Sequence, residues 1–185
     1  MICAQEAWWQ LELDEVLMMP MGKAPHREIE PEPGPQTRLE LCRLATEDVP
    51  WLSVSDLEVT RVEASFTADT LRQAAELFAG DSLTLLLGAD QAAALDSWRE
   101  PEAVLKLATV AVAAREGMER EAVLRHLDGL GGREANIVFF EMPRIDVSST
   151  LVRERVGEGQ PIDFLVTGSV AEVVAARGLY AGDAA

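Results

Sequence analysis

The sequence has few cysteines, few histidines and no long apolar run. Its two cysteines, Cys3 and Cys42, lack metal-site spacing and are typical of a protein kept in a reducing cytosol. With only two histidines beside them, the chain has little material for a zinc site. No apolar stretch approaches the roughly 20 residues of a membrane-spanning helix. The first residues also lack the basic region and apolar core of a secretory signal. We therefore expect a cytoplasmic protein without a membrane partner.

Basic residues are scarce as well. The chain carries 16 Lys and Arg against 32 Asp and Glu, a formal net charge of −16. Such a surface repels a phosphate backbone, so we expect no nucleic-acid partner. A small anionic ligand is still compatible with this charge if the few bases gather in one place and a divalent ion assists.

The pattern along the 185 residues predicts one α/β domain. Apolar strand candidates alternate with helical stretches, and continuous apolar strands separated by helices indicate a parallel sheet covered on both faces. We therefore predict a doubly wound, mainly parallel, Rossmann-like fold with its ligands at the carboxyl ends of the strands. Strands are predicted at 15–21, 51–54, 57–62, 82–87, 109–113 and 136–141, and helices at 4–13, 37–47, 67–78, 101–107, 119–130, 149 onward and 169–177.

Two strand-to-helix junctions at that edge are candidate ligand sites, Gly88-Ala89-Asp90 and Ser148–Arg153. Hydroxyl side chains at 148–150 suit the start of a helix, whose first N–H groups have no internal partner. Arg153 and Arg155 follow near the positive end of the helix dipole, where a cation is disfavoured. A bound phosphate would relieve that conflict. The alternative is an ordinary capped helix with both arginines in water.

Short segments in a fixed order span almost the whole chain. They are Gln5-Glu6-Ala7, MPMGKAPHR at 19–27, RLEL at 38–41, SFTADTL at 65–71, Gly88-Ala89-Asp90 with Leu95 and Trp98, SSTLVR at 148–153, and AARGLY at 175–180. Together they resemble the bacterial nicotinate-nucleotide adenylyltransferases, which belong to the α/β-phosphodiesterase nucleotidyltransferase superfamily.

The resemblance implies a reaction, its substrates and its ion. ATP and nicotinic acid mononucleotide would give nicotinic acid adenine dinucleotide and pyrophosphate, a step of NAD biosynthesis. Mg²⁺ would offset the charge of the triphosphate. The protein would act chiefly by positioning the substrates and neutralising charge. The sequence leaves the oligomeric state open, including a homo-oligomer.

The resemblance also implies roles for single residues. Arg153 would be catalytic and would hold the ATP phosphates together with Ser148, Ser149 and Thr150. On the acceptor side, His26 and Arg27 would contact the substrate phosphate. The remaining substrate contacts would be the Thr67 backbone N–H to the pyridine carboxylate, Asp90 to a ribose hydroxyl, and Trp98 stacked on the pyridine ring.

Each of the acceptor-side residues also has an ordinary structural interpretation. Thr67 is a good helix N-cap, Asp90 favours a helix N-terminus, and Trp98 suits core packing. His26 and Arg27 lie in a Pro-rich loop that needs no ligand to explain it. Both interpretations stay open at the level of sequence.

One departure from the family concerns the N-terminus. The family begins with a strand, a Gly-rich turn and an H-x-G-H motif, whereas Met1 here falls where the first helix should already be running. We expect the true start to lie upstream of Met1, so that the sequence is N-terminally truncated and incomplete for the chemistry. The alternatives are a non-catalytic nucleotide-binding paralogue and a related adenylyltransferase with another phosphorylated acceptor, such as pantetheine phosphate or the amidated mononucleotide.

Overall fold

The computed structural model describes residues 1–23, 33–114, 118–127, 130 and 136–181. It confirms an α/β protein with parallel strands. In chain order the elements are α1 (Ile2–Gln10), β1 (Val16–Met18), α2 (Pro35–Thr46), β2 (Leu52–Val54), α3 (Thr67–Leu77), β3 (Thr84–Gly88), α4 (Ala89–Ala93), a 3₁₀ turn (Leu95–Ser97), α5 (Pro101–Leu107), β4 (Thr109–Ala114), α6 (Met118–Leu127), β5 (Ile137–Glu141), α7 (Ser149–Gly157) and α8 (Gly168–Ala176).

The chain forms two compact units. The first comprises Met1–Val16 and Ser65–Arg144, and the second comprises Leu17–Ala64 and Ile145–Ala185. No helix in the part of the chain that the structure describes is long and apolar enough to cross a membrane.

A parallel sheet in the order β3-β4-β5 organises the first unit. Gly88 pairs with Ala113 at one end of the ladder, and Ala114 pairs with Glu141. The carboxyl ends of all three strands therefore lie at one edge, as the alternation of strands and helices predicted.

The central strand β4 is buried on both faces. Val110 and Val112 are 0% exposed and pack with residues of α3, α4, α5 and α6. Ala111 is equally buried on the opposite face, where it meets Ala7 of α1. Burial on both faces explains why the strand reads as an uninterrupted apolar run rather than as an alternating one.

A glutamine of α1 covers the backbone at the end of β5. The Gln10 side-chain Nε2 donates to the Glu141 carbonyl at 2.8 Å, and the Glu141 N–H donates to Gln10 Oε1 at 2.8 Å. A side-chain amide thus provides both hydrogen bonds that a neighbouring strand provides elsewhere in the sheet.

The second unit contains a two-stranded sheet, β1-β2, with α2, α7 and α8. Arg177, directly after α8, donates two hydrogen bonds to the Glu40 carboxylate of α2, at 2.7 and 2.5 Å. These bonds hold the pKa of Glu40 below its usual value. Ser169 Oγ donates to the Leu44 carbonyl at 3.1 Å, so both ends of the contact between the two helices are hydrogen-bonded.

The chain after β1 passes very close to another backbone segment of the second unit. A Cβ added at Gly22 would lie 2.1 Å from the carbonyl oxygen of Glu58, so only glycine fits there. Arg38 of α2 holds the same turn, because its Nη2 donates to the carbonyls of Met21 at 2.5 Å and of Gly22 at 2.9 Å.

The strand predicted at 57–62 is wrong. The segment forms turns closed by local hydrogen bonds, from the Thr60 N–H to Asp56 O at 3.0 Å and from the Arg61 N–H to Glu58 O at 3.2 Å. Val62, an apolar residue of the predicted strand, is 92% exposed. The backbone satisfies its donors within the segment and needs no neighbouring strand.

Candidate functional site

The junction after β3 leaves open space at the carboxyl edge of the parallel sheet. Gly88 ends the strand with an ordinary φ of −72°, and a Cβ there would meet no atom of the described residues within 4 Å. Neither the backbone conformation nor packing against those residues therefore requires glycine at this position, whereas close approach of a ligand would. Asp90 follows, exposed, in the first turn of α4.

The start of α3 differs by one residue from the prediction. Phe66 is the N-cap and Thr67 is the first helical residue, so the prediction of Thr67 as the N-cap is wrong. Thr67 instead contributes one of the four leading N–H groups that lack a partner within a helix. Its backbone therefore lies at the positive end of the helix dipole.

Ser65 lies two residues before this helix and is 6% exposed. Its Oγ is a buried side-chain atom with no hydrogen-bond partner among the residues that the structure describes. A buried hydroxyl without a partner loses its hydration without compensation.

We expect Ser65→Ala to leave the free energy of unfolding unchanged or to raise it by up to about 2 kcal/mol, because it removes that uncompensated hydroxyl. Urea unfolding of the variant measures the change. The matched control is Thr46→Val, since the Thr46 hydroxyl is equally buried but donates to the Cys42 carbonyl at 3.0 Å. The control should lose about 1 kcal/mol. A loss of that size in Ser65→Ala would contradict the prediction.

Trp98 follows the 3₁₀ turn and is half-buried against the core of the first unit. Its backbone N–H donates to the Leu95 carbonyl at 3.1 Å. The packing interpretation of Trp98 is thus confirmed, and the stacking role stays a prediction.

Four charged side chains link the start of α3 to the segment that follows Trp98. Arg72 donates to Asp69 at 2.9 Å and to both carboxylate oxygens of Glu100. These hydrogen bonds raise the pKa of Arg72 and lower that of Glu100. Arg99 lies 3.8 Å from Asp69 and 3.7 Å from Glu100, and its guanidinium carbon is 4.5 Å from the Phe66 ring centre. We call this group the charged clamp: Asp69, Arg72, Arg99 and Glu100.

Sequence reasoning missed most of the charged clamp. Of its four residues only Asp69 lies in a segment that carries the family resemblance, SFTADTL at 65–71. The pairing of Arg72 with Glu100 joins residues 28 positions apart, for which the sequence carries no local signal.

In the second unit, Ser148 is confirmed as the cap of α7. Its Oγ accepts a hydrogen bond from the Leu151 N–H at 3.1 Å. Ser149 and Thr150 form the first exposed turn of the helix. Arg153 is half-buried and reaches back, since its Nη2 donates to Thr150 Oγ1 at 3.4 Å. The guanidinium therefore lies beside the helix start, as an anion site requires.

Arg155 does not share this arrangement, and its predicted conflict with the helix dipole is wrong. It lies in the last turn of the nine-residue helix, where a cation is favourable. Its Nε donates to the Pro161 carbonyl at 3.0 Å.

The other predicted site residues are divided between the two units. Thr67, Asp90 and Trp98 belong to the first unit, and the residues at 148–153 belong to the second. Residues 142–148 separate β5 from α7, so of the two candidate junctions the one at Gly88 is a direct strand-to-helix turn and the one at Ser148 is not. His26 and Arg27 lie outside the described residues.

Known proteins match this chain over nearly its full length. A family model described as cytidylyltransferase-like matches residues 1–155. A probable nicotinate-nucleotide adenylyltransferase from Carboxydothermus hydrogenoformans is 33% identical over 181 residues, which cover 97% of this chain and 90% of the relative. One from Roseiflexus sp. is 36% identical over 179 residues, covering 96% and 88%.

Solved structures show the same fold. The Plasmodium falciparum nicotinic acid mononucleotide adenylyltransferase complexed with NaAD superposes with a TM-score of 0.70 at 15% sequence identity. The match covers 91% of this chain and 83% of that one. The complex of the same protein with APC gives a TM-score of 0.69. These comparisons confirm the predicted Rossmann-like class.

Proposed function

This chain belongs to the nicotinate-nucleotide adenylyltransferases of the cytidylyltransferase-like family, which transfer the adenylyl group of ATP to nicotinic acid mononucleotide, and we propose how its own residues serve that reaction. The observation that carries the function is 33–36% identity to relatives of that name over 96–97% of the chain. We propose that both units act together as one nucleotidyltransferase domain in the cytoplasm.

The start of α7 is the proposed site of the ATP phosphates. The leading N–H groups of Ser149 and Thr150 point toward the helix N-terminus, where anions bind. The guanidinium of Arg153 lies beside them through its contact with Thr150 Oγ1. An arginine that donates to phosphate oxygens stabilises the negative charge that develops as pyrophosphate leaves.

The first unit supplies the proposed contacts to the mononucleotide. The Thr67 N–H at the start of α3 would donate to the pyridine carboxylate, and Trp98 would stack on the ring. Asp90 would accept a hydrogen bond from a ribose hydroxyl beside the open space at Gly88. His26 and Arg27 stay proposed contacts of the mononucleotide phosphate.

The proposed reaction is a direct transfer between the two substrates and needs no covalent bond to the protein. A phosphate oxygen of the mononucleotide attacks the α-phosphorus of ATP, a new P–O bond forms, and the bond from the α-phosphorus to the pyrophosphate oxygen breaks. The residues named above contribute by holding the two substrates in line and by neutralising charge.

We propose that Mg²⁺ enters bound to ATP and is not held by a dedicated set of protein ligands. No group of three or more metal-ligating side chains lies together in the described part of the chain. Mg²⁺ is usually bound through substrate phosphates, waters and one or two carboxylates.

A pyrophosphate-release assay tests the proposed function. The full-length gene product is incubated with ATP and Mg²⁺, and either the acid or the amide mononucleotide is added. We expect turnover with the acid, about 10- to 150-fold faster than with the amide, because a hydrogen bond to a charged group is worth about 1.5–3 kcal/mol. Pyrophosphate release no faster with the acid than with ATP alone would refute the proposed function.

A further inference from the structure

We propose that the charged clamp is a positioning device, which holds the Trp98 segment against the start of α3 and thereby sets the affinity for the nicotinate ring. The inference rests on the proposed function, since it takes Thr67 and Trp98 as the ring contacts. It concerns residues that do not themselves touch the substrate.

The connection runs between direct neighbours of the two ring contacts. Phe66 precedes Thr67, Arg99 follows Trp98, and the Arg99 guanidinium lies 4.5 Å from the centre of the Phe66 ring. Arg99 also lies 3.8 Å from Asp69, in the first turn of α3. A shift of Arg99 therefore changes the distance between the helix start and the tryptophan.

Glu100 fixes the other side of the Trp98 segment. It adopts a left-handed conformation, with φ of 54°, directly before Pro101, which is an unfavourable backbone state for a residue with a side chain. Its carbonyl accepts from the Ala103 N–H at 3.0 Å and so begins α5. The Arg72 guanidinium binds the Glu100 carboxylate with both Nη atoms and holds the residue in this conformation.

Stability alone does not account for the clamp. Its side chains are 40–53% exposed, and ion pairs with that exposure contribute little to the free energy of unfolding. Electrostatic attraction of an anion does not account for it either, since two acids and two bases sum to zero formal charge. The role left for the charged clamp is to fix the position of the Trp98 segment relative to the start of α3.

The test is a double-mutant cycle with Arg72→Met, Glu100→Gln and the double variant. Glu100→Gln keeps the side-chain length, Arg72→Met keeps only the apolar stem of the arginine, and both changes remove the ion pair. We expect each single variant to raise the KM for nicotinic acid mononucleotide about 3- to 10-fold, with the KM for ATP within twofold of the wild type. The double variant should be no worse than the poorer single one, because the two residues act through one interaction. Thermal melting should shift by only a few degrees.

The matched control is Arg43→Met, which removes the exposed ion pair with Asp56 at 3.4 Å in the second unit. It should leave both KM values unchanged. An unchanged KM for the mononucleotide in both clamp variants would overturn the inference. An equal rise in both KM values, together with a lowered melting temperature, would overturn it as well, because that pattern indicates a merely structural role.

Assays of the wild-type protein distinguish failure of the proposed function from failure of the proposed role of the charged clamp. If the full-length wild type releases no pyrophosphate from ATP in the presence of the acid mononucleotide, the proposed function fails. Calorimetric binding of that mononucleotide to the variants then tests the role of the charged clamp. Weaker binding to Arg72→Met than to Arg43→Met supports positioning, whereas equal binding overturns it. Absence of binding to the wild type overturns both proposals.

Discussion

Replacement of Arg153 by alanine is expected to lower kcat/KM for pyrophosphate release roughly 30- to 1000-fold, corresponding to about 2–4 kcal/mol of lost transition-state stabilisation. The guanidinium is turned back toward the first turn of α7, where its Nη2 contacts Thr150 Oγ1. In the proposed site it would donate to the phosphates of ATP as charge accumulates on the departing pyrophosphate. Steady-state assays with both substrates varied measure the loss.

The matched control for Arg153→Ala is Arg155→Ala, two residues along the same helix. Arg155 donates to the Pro161 carbonyl at the far end of α7, so its loss should change kcat/KM by less than about fivefold. Arg153→Lys should recover part of the activity, because lysine keeps the charge but not the planar fork. Equal activity of Arg153→Ala and the wild type would exclude Arg153 from the phosphate site.

Gly22→Ala is expected to reduce the free energy of unfolding by about 3 kcal/mol or more, the upper range for a forced steric overlap. The new Cβ would lie 2.1 Å from Glu58 O and 2.9 Å from Glu58 C, both backbone atoms that no rotamer change can move away. The turn is also held by Arg38, so the chain cannot relax there without losing hydrogen bonds. Denaturant unfolding monitored by fluorescence measures the change.

Gly168→Ala is the matched control, because a Cβ there meets no atom within 4 Å in the described part of the chain. Gly168 begins α8, and alanine in a helix is favoured over glycine by up to about 1 kcal/mol. The control should therefore be neutral or stabilising. If Gly22→Ala unfolds at the same denaturant concentration as the wild type, the close approach to Glu58 is wrong.

The strands of the first unit were predictable because burial on both faces leaves an unbroken apolar run. The predicted range 109–113 corresponds to β4 at Thr109–Ala114, and 136–141 corresponds to β5 at Ile137–Glu141. The same signal failed at 57–62, where a short apolar pattern carries no information on whether a partner strand lies beside it. Local turn hydrogen bonds formed there instead.

The candidate site was predictable only where its geometry is local. Ser148 caps its helix as its side chain predicts, since the bond to the Leu151 N–H spans three residues. The prediction for Arg155 depended on where the helix ends, and a nine-residue helix places that residue in its last turn. The charged clamp depends on tertiary contacts between α3 and the segment before α5, which local propensity does not encode.

The amide of Gln10 has a consequence for which substitutions the first helix tolerates. The backbone of Glu141 offers an N–H donor and a carbonyl acceptor. Gln10 binds the first with its side-chain oxygen and the second with its side-chain Nε2. Glutamate at position 10 has no donor for the carbonyl, and asparagine is one methylene too short. The donor and acceptor of Glu141, at the end of β5, therefore require glutamine at position 10 of α1. Where that match is lost, the Glu141 N–H and carbonyl at the end of β5 lose their partners in the described structure, and unpaired backbone groups on a strand are a template for pairing with another chain.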